Sequence, residues 1–242
     1  MAPFGASRAG LMSVAEDDIP DSVDNQWPAD EGSGDTLEND IGDVDIDLLD
    51  DGTGWSWDSN SKWDGDTAPE SDGSNDTIFE SQQDVKALNA ESGGIVFWVE
   101  VTAHDSNAPL YSTDVASAGT PENGTTIRLD DSDIKLLQQD SGSGAREDIY
   151  DAQKIDERVL YAVGWDGNDV YIWGYDTSAD ASTAQFLNET EPDERGISDD
   201  ETLSGFGRTD ADRYITGGVE QIATFDETPT QNDVEQFWEV TK

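Results

Sequence analysis

The chain contains no cysteine, so neither a disulfide framework nor a thiolate metal site is available to it. Its stability has to come from packing, salt or bound ions. Positive charge is scarce as well: 12 Lys and Arg stand against 56 Asp and Glu, and no basic cluster occurs anywhere. Binding to nucleic acid needs clustered cations that displace phosphate counterions, so no nucleic-acid partner is expected. There is one histidine, His104. Any nucleophile-and-base arrangement built on histidine must use it, and its setting, Thr102-Ala103-His104-Asp105-Ser106-Asn107, reads as a solvated turn.

Long apolar runs are missing too. No stretch approaches the roughly 20 apolar residues of a membrane span, so no membrane insertion is expected. The opening, Met1-Ala-Pro-Phe-Gly-Ala-Ser-Arg-Ala-Gly-Leu-Met12, has one arginine and no continuous apolar core of the kind a secretion signal carries. The expectation is therefore that an extracellular location is not reached through an N-terminal signal, which favours a virion component released by lysis over a secreted enzyme.

What the sequence does have is acid, at a formal net charge of −44 spread along its whole length. In dilute buffer such self-repulsion destabilises any compact state, whereas at 1 M salt the screening length falls to about 3 Å and most of the penalty goes. The composition points to brine, hence to an extreme halophile or one of its viruses. Disorder is the competing explanation of an acidic chain, but 8 Trp, 7 Phe and 6 Tyr set in alternating runs are not what a solvating tail carries. At 242 residues there is enough apolar material for one large core.

Residues 1–24 are small, polar and unperiodic and read as an extended arm, closed by the breaker Ile19-Pro20-Asp21-Ser22. From there to the end the text is that of strands. Val44-Asp45-Ile46-Asp47-Leu48 has a period of two, and Trp55-Ser56-Trp57 follows a glycine turn. Gly93-Gly94-Ile95-Val96-Phe97-Trp98-Val99-Glu100-Val101 is the strongest strand, a nearly continuous β-branched and aromatic run that should lie centrally between layers. Leu110-Tyr111-Ser112, Thr125-Thr126-Ile127-Arg128-Leu129 and Ile134-Lys135-Leu136-Leu137 follow at the short spacing of an antiparallel sandwich. Arg158-Val159-Leu160-Tyr161-Ala162-Val163-Gly164-Trp165 and Val170-Tyr171-Ile172-Trp173 flank an Asp-Gly turn and make the clearest hairpin. Residues 176–205 read as a polar surface excursion, and residues 148–157 as a possible second helix. A last strand pair fills 214–225, and 226–240 predicts a short helix with Pro229 near a Thr230 cap and Val234, Phe237 and Trp238 on one face.

Taken together these motifs resemble the laminin-G/pentraxin-like jelly rolls of the concanavalin A-like lectin/glucanase superfamily. Four stretches carry the likeness. Trp27-Pro28-Ala29-Asp30-Glu31-Gly32-Ser33-Gly34-Asp35-Thr36 with Asp40-Ile41-Gly42 resembles the family's opening, and Gly94 to Val101 its central tryptophan strand. Tyr161-Ala162-Val163-Gly164-Trp165-Asp166-Gly167 with Val170-Tyr171-Ile172-Trp173-Gly174 resembles its Asp-Gly hairpin, and residues 214–234 its closing strand and helix. The resemblance implies an all-β, concanavalin-like antiparallel β-sandwich over residues 25–242, preceded by the arm 1–24 and ending in a short C-terminal helix. One departure is plain: the family's Gly-Gly and aromatic-Asp-Gly signature before the third strand is replaced by the acidic loop of residues 63–76. The N-terminal Pro3-Phe4-Gly5-Ala6-Ser7-Arg8 segment is similar to the openings of structural proteins of tailed viruses that infect haloarchaea.

Three chemistries can be asked of such a chain. Glycoside hydrolysis by a retaining mechanism wants two carboxyls about 5 Å apart; the strongest strand offers Glu100 alone, and no catalytic set is expected. Calcium wants carboxylate and carbonyl oxygens from turns. The segment Asp72-Gly73-Ser74-Asn75-Asp76 resembles the place where pentraxin-like relatives bind that ion, so Asp72, Asn75 and Asp76 are the candidate ligands, with Asp64 and Asp66 as alternatives. Sugar binding wants indoles that stack on sugar rings and acids that bond hydroxyls. Trp98, Trp165 and Trp173 are expected in the core, and Trp55 or Trp57 should alternate inward. Trp63, with Asp64 and Asp66 beside it, is the candidate glycan-binding set. Asn75, Asn123 and Asn188 each begin an N-glycosylation sequon, as an extracellular protein allows.

The resulting expectation is a non-catalytic virion surface protein of a haloarchaeal virus: a capsid decoration, turret or tail-spike subunit. Its arm would dock on other virion proteins, and its jelly roll would face outward as a homo-oligomer and bind host surface glycan. The alternatives are a secreted or cell-surface carbohydrate-binding protein of a haloarchaeon and, third, a glycoside hydrolase.

Overall fold

The computed structural model describes residues 19–29, 31–49, 54–58, 68–73, 79–85, 92–106, 108–112, 124–130, 133–139, 145–150, 157–166, 169–176, 185–190, 202–205 and 214–242. Most of the arm, residues 1–18, lies outside them. The strands in chain order are β1 (Val23–Trp27), β2 (Thr36–Leu37), β3 (Ile46–Leu48), β4 (Trp55–Asp58), β5 (Ala68–Asp72), β6 (Phe79–Asp84), β7 (Ser92–His104) and β8 (Ala108–Ser112). They continue with β9 (Gly124–Asp130), β10 (Asp133–Gln139), β11 (Ala145–Tyr150), β12 (Arg158–Asp166), β13 (Asp169–Asp176), β14 (Gln185–Thr190), β15 (Thr202–Gly205) and β16 (Ile215–Phe225), before helix α1 (Gln231–Thr241).

Two sheets form. The first runs β14-β13-β12-β7-β16-β5-β4, with β1 also pairing β16; the second runs β11-β10-β9-β8-β15-β6-β3-β2. The ladders are antiparallel. The architecture is thus an all-β antiparallel sandwich with a short C-terminal helix.

β7 takes the central position its composition predicts, between β12 and β16. Its alternate residues serve two layers. Ile95, Phe97, Val99 and Val101 enter the core between the sheets, together with Trp165, Ile172, Phe79 and Tyr111. Val96 and Trp98 point the other way, into a second cluster with Trp173, Tyr175, Val234, Phe237 and Trp238. That second cluster exists because α1 covers the outer face of the first sheet, giving three layers where the sheets alone would give two.

Local chemistry sets α1 in place. Thr230 caps it: the Asp233 N–H donates to Thr230 Oγ1 (3.3 Å), and the Thr230 N–H to Asp233 Oδ2 (2.7 Å), which satisfies two backbone donors reciprocally. Pro229, just before the cap, is buried flat on the sheet over Gly94 of β7 and Gly164 of β12, which stand opposite one another. A Cβ on Gly94 would come within 2.6 Å of Pro229 and 2.9 Å of the Val163 carbonyl. These two glycines are therefore what lets the chain come down onto the sheet and start its last helix.

β16 does two jobs along one strand. Its first half pairs β5 and its second half β1, and a bulge at Gln221, with φ of 49° and its N–H donated to the Pro28 carbonyl (3.1 Å), separates them. At the far end, Thr224 donates to Asp24 Oδ1 (2.6 Å) and accepts from Asn25 Nδ2 (3.1 Å). Asn39 accepts from the backbone N–H groups of Gln26, Ile41 and Gly42 and donates to Asn25 Oδ1, tying the loop before β3 to β1.

The structure departs from the sequence expectations in three places. Ile19 and Val23 are buried against the α1 cluster, so the packed fold starts before residue 25. The 176–205 excursion contributes β14 at one edge of the first sheet and β15 inside the second, with Leu203 buried. Residues 148–150, which the pattern allows as helix, are the end of β11, paired to Ile134, Lys135 and Leu136 of β10. In the second and third cases an open ladder recruits a segment whose own apolar content is too low to announce a strand.

Burial raises the pKa of Asp24 above the usual carboxylate range, the nearby Asp226 pushes the same way, and the Thr224 and Asn25 hydrogen bonds pull against them. A raised folded pKa means that this group's contribution is full below the unfolded value and is lost as pH rises through the folded one. Asp24→Asn should consequently be more stable than the parent at neutral pH, with the gap closing as pH falls to the acid range. Urea midpoints measured across pH in molar KCl check this, and a pH-independent gap would show that the carboxylate's charge is not the cause.

Candidate functional site

The first sheet's edge at β4 carries the aromatic pair singled out by the sequence. Trp55 and Trp57 are two residues apart and share a face, so both turn partly inward against the core between the sheets while Ser56 is exposed. Their rings meet edge to face at 6.2 Å and 81°. Each indole N–H is committed to a carbonyl beside the second sheet's edge, Trp55 to Leu49 (3.1 Å) and Trp57 to Gly34 (3.0 Å). The pair is a wedge that closes the side of the sandwich where β4 of one sheet faces β2 and β3 of the other. Leu49 is exposed next to it, and Gln82 Nε2 donates to Asp47 Oδ1 (2.7 Å) on the same side.

Trp63, Asp64 and Asp66 lie outside the described residues, as do Asn75 and Asp76. Asp72 is described: it ends β5, its side chain exposed and its N–H donated to the Gly54 carbonyl (3.0 Å). In the β4–β5 register Asp58 pairs with Ala68, and Trp55 pairs with Ser71, next to Asp72. Among the described residues no group of three or more His, Asp or Glu is arranged to hold a metal.

Glu100, solitary in the sequence, has company in three dimensions. Arg158 stands opposite it on β12, and Glu220 lies on β16 opposite Trp98. The Arg158 guanidinium is ion-paired with Glu220, donates to the Thr241 carbonyl (3.3 Å) and sits 4.3 Å above the Trp98 ring. Trp98 Nε1 in turn donates to Thr241 Oγ1 (2.8 Å). Glu100 and Glu220 are both buried, at 3% and 4% exposed. This arrangement is an anchor for the helix, and sequence spacing gives no sign of it because Arg158 and Glu220 are 62 residues apart. His104 closes β7, with Nδ1 2.8 Å from the Asp105 carbonyl.

On β13, Trp173 and Tyr175 are buried, and Tyr171 on the same face is half-buried, stacked on Trp173.

The two sheets and the helix define an all-β antiparallel β-sandwich, and solved structures share that fold. The botulinum neurotoxin serotype D binding domain matches with a TM-score of 0.64 at 11% identity, over 91% of this chain and 51% of that one. The same domain in complex with N-acetylneuraminic acid gives 0.65 at 12%, over 91% and 51%. Domain 4 of AbnA, an extracellular arabinanase from Geobacillus stearothermophilus, in complex with arabinotriose, gives 0.61 at 10%, over 91% of this chain and 98% of that domain. The chain therefore spans about half the length of the neurotoxin domains and the whole of the arabinanase domain. No family model and no curated protein matches the sequence.

Arg158→Leu would strand Glu220 in a buried site without its cation, which costs about 3–5 kcal/mol. Replacing both as Arg158→Leu with Glu220→Leu should recover much of that. Urea unfolding in molar KCl measures it, and a cost for the single variant below about 1 kcal/mol would mean the pair does not anchor α1.

Proposed function

We propose that the chain is a non-catalytic carbohydrate-binding β-sandwich on the surface of a haloarchaeal virus, as a capsid decoration, turret or tail-spike subunit that attaches to host glycan. The observation that supports sugar binding is the match over nearly the full length of arabinanase domain 4, whose structure holds arabinotriose. The neurotoxin complex with N-acetylneuraminic acid carries less weight, since half of that domain has no counterpart here. Exposed residues of the β4–β5 side, with Trp63, Asp64 and Asp66 following β4, are the proposed contact surface. Asp72, with Asn75 and Asp76, is proposed to hold calcium.

The virion assignment rests on the −44 net charge, which suits brine, and on the polar opening of the arm, residues 1–18, proposed to bind other virion proteins. Display in many copies would raise weak single-site affinity by orders of magnitude, so a homo-oligomer belongs to this reading. The extracellular arabinanase favours a second one, a secreted carbohydrate-binding protein of a haloarchaeon. Peptide mass spectrometry on density-banded particles from a halophile culture separates them. Stoichiometric recovery with the particles is expected, and recovery only in the soluble or envelope fraction would leave the secreted protein.

A further inference from the structure

We propose that residues 1–15 are an intersubunit strap that docks on the face formed by Leu49, Asp47 and Glu80 of a second copy of this chain. The inference rests on the homo-oligomer of the proposed function and gives the arm its partner; it is independent of sugar binding.

The strap is marked by what it lacks. All 56 acids fall in residues 16–242, and beyond residue 15 no acid-free run is longer than eight residues. The runs that reach eight are 92–99, 106–113, 158–165, 181–188 and 202–209, and they overlap β7, β8, β12, β14 and β15 in turn. In this chain freedom from acid goes with being built into a sheet, and acid marks what faces brine. Residues 1–15 carry Phe4, Leu11, Met12 and Val14 with a single charge, Arg8. Such a segment suits a covered position, against a surface that is apolar in the middle and acidic at the side.

The described surface offers that combination next to β3. Leu49 is the large hydrophobic side chain left exposed there, at 36%, among described residues whose other large apolar groups are at least partly buried. Its carbonyl accepts from the indole of half-buried Trp55 (3.1 Å), which fixes the backbone that presents it. Two residues earlier, Asp47 lies on the outer face of the second sheet, because Ile46 and Leu48 on either side of it turn into the core. Glu80 stands directly opposite Asp47 on β6. Like charges so placed repel. Asp47 accepts from Gln82 Nε2 (2.7 Å), while Glu80 is partly exposed and has no partner among the described residues. At 1 M salt the screening length is about 3 Å, so an attraction survives only in contact. Arg8 in contact with these two carboxylates supplies the missing cation, and the apolar residues around it cover Leu49.

The geometry favours a second copy over the chain's own face. Val23 pairs with Phe225 at the end of β16, and Ile19 precedes it in the α1 cluster. Trp55, beside Leu49, pairs with Ser71, which pairs with Gly217 near the start of β16. The strand between Gly217 and Phe225 spans about 26 Å, so the root of the arm and its receptor lie at opposite ends of the first sheet. A strap at one end and a receptor at the other make a head-to-tail contact, which closes into a ring where the rotation allows.

The test is sedimentation of the full chain in molar KCl over a range of concentrations. The wild type should associate, and Phe4→Asp in the strap or Leu49→Asp in the receptor should each raise the dissociation constant about tenfold or more. Arg8→Glu should weaken association, and Glu80→Arg in the same chain should restore it to within about threefold. Phe4→Asp chains keep an intact receptor and Leu49→Asp chains an intact strap, so mixing the two should give a one-to-one dimer. A monomeric wild type would overturn the strap, and if that monomer still binds arabinotriose in calorimetry the carbohydrate-binding reading stands without it. Association unchanged in Leu49→Asp, with an unchanged circular dichroism spectrum, or no dimer on mixing, would equally overturn it.

Discussion

Everything in this fold hangs on one strand being buried on both faces. β7 sends four aliphatic and aromatic side chains into the core between the sheets and sets Val96, Trp98 and Glu100 toward α1. A sheet whose outer face is covered can carry apolar residues at successive positions, where a solvated face would demand alternation. The covering helix is itself short, and 11 residues have little helical stability alone. It is held by what the strand and its two neighbours offer: the Trp98 ring and indole N–H of β7, and the pair of Arg158 on β12 with Glu220 on β16, whose arginine reaches the Thr241 carbonyl.

How much of this the sequence declares depends on the range of the interaction. β7, the β12–β13 hairpin and α1 are legible because their signals are local: a β-branched run, an Asp-Gly turn, a Thr cap followed three residues later by Asp. β11, β14 and β15 are not, since their apolar content is slight and they become strands by completing ladders. The neighbours of Glu100 depend on the register of β12 and β16 against β7, and that register carries a bulge at Gln221 that no periodicity marks.

Net charge and recognition place opposite demands on the surface. With 56 acids, a ligand met through long-range attraction would have to be a cation, and in concentrated salt that attraction has no reach. What remains useful is contact chemistry: ring against ring and hydroxyl against carboxylate.

The order in which strands become available along the chain has a consequence for how this protein acquires its structure. β7 ends at His104, yet its partner on one side begins at Arg158 and on the other at Ile215. Even β1, at the start of the described chain, is completed only by the second half of β16. The centre of the first sheet is therefore assembled from contacts of very high sequence separation, which places the molecule among slow, topology-limited folders. On a ribosome the most apolar strand would emerge and wait for more than a hundred further residues before its second edge is paired.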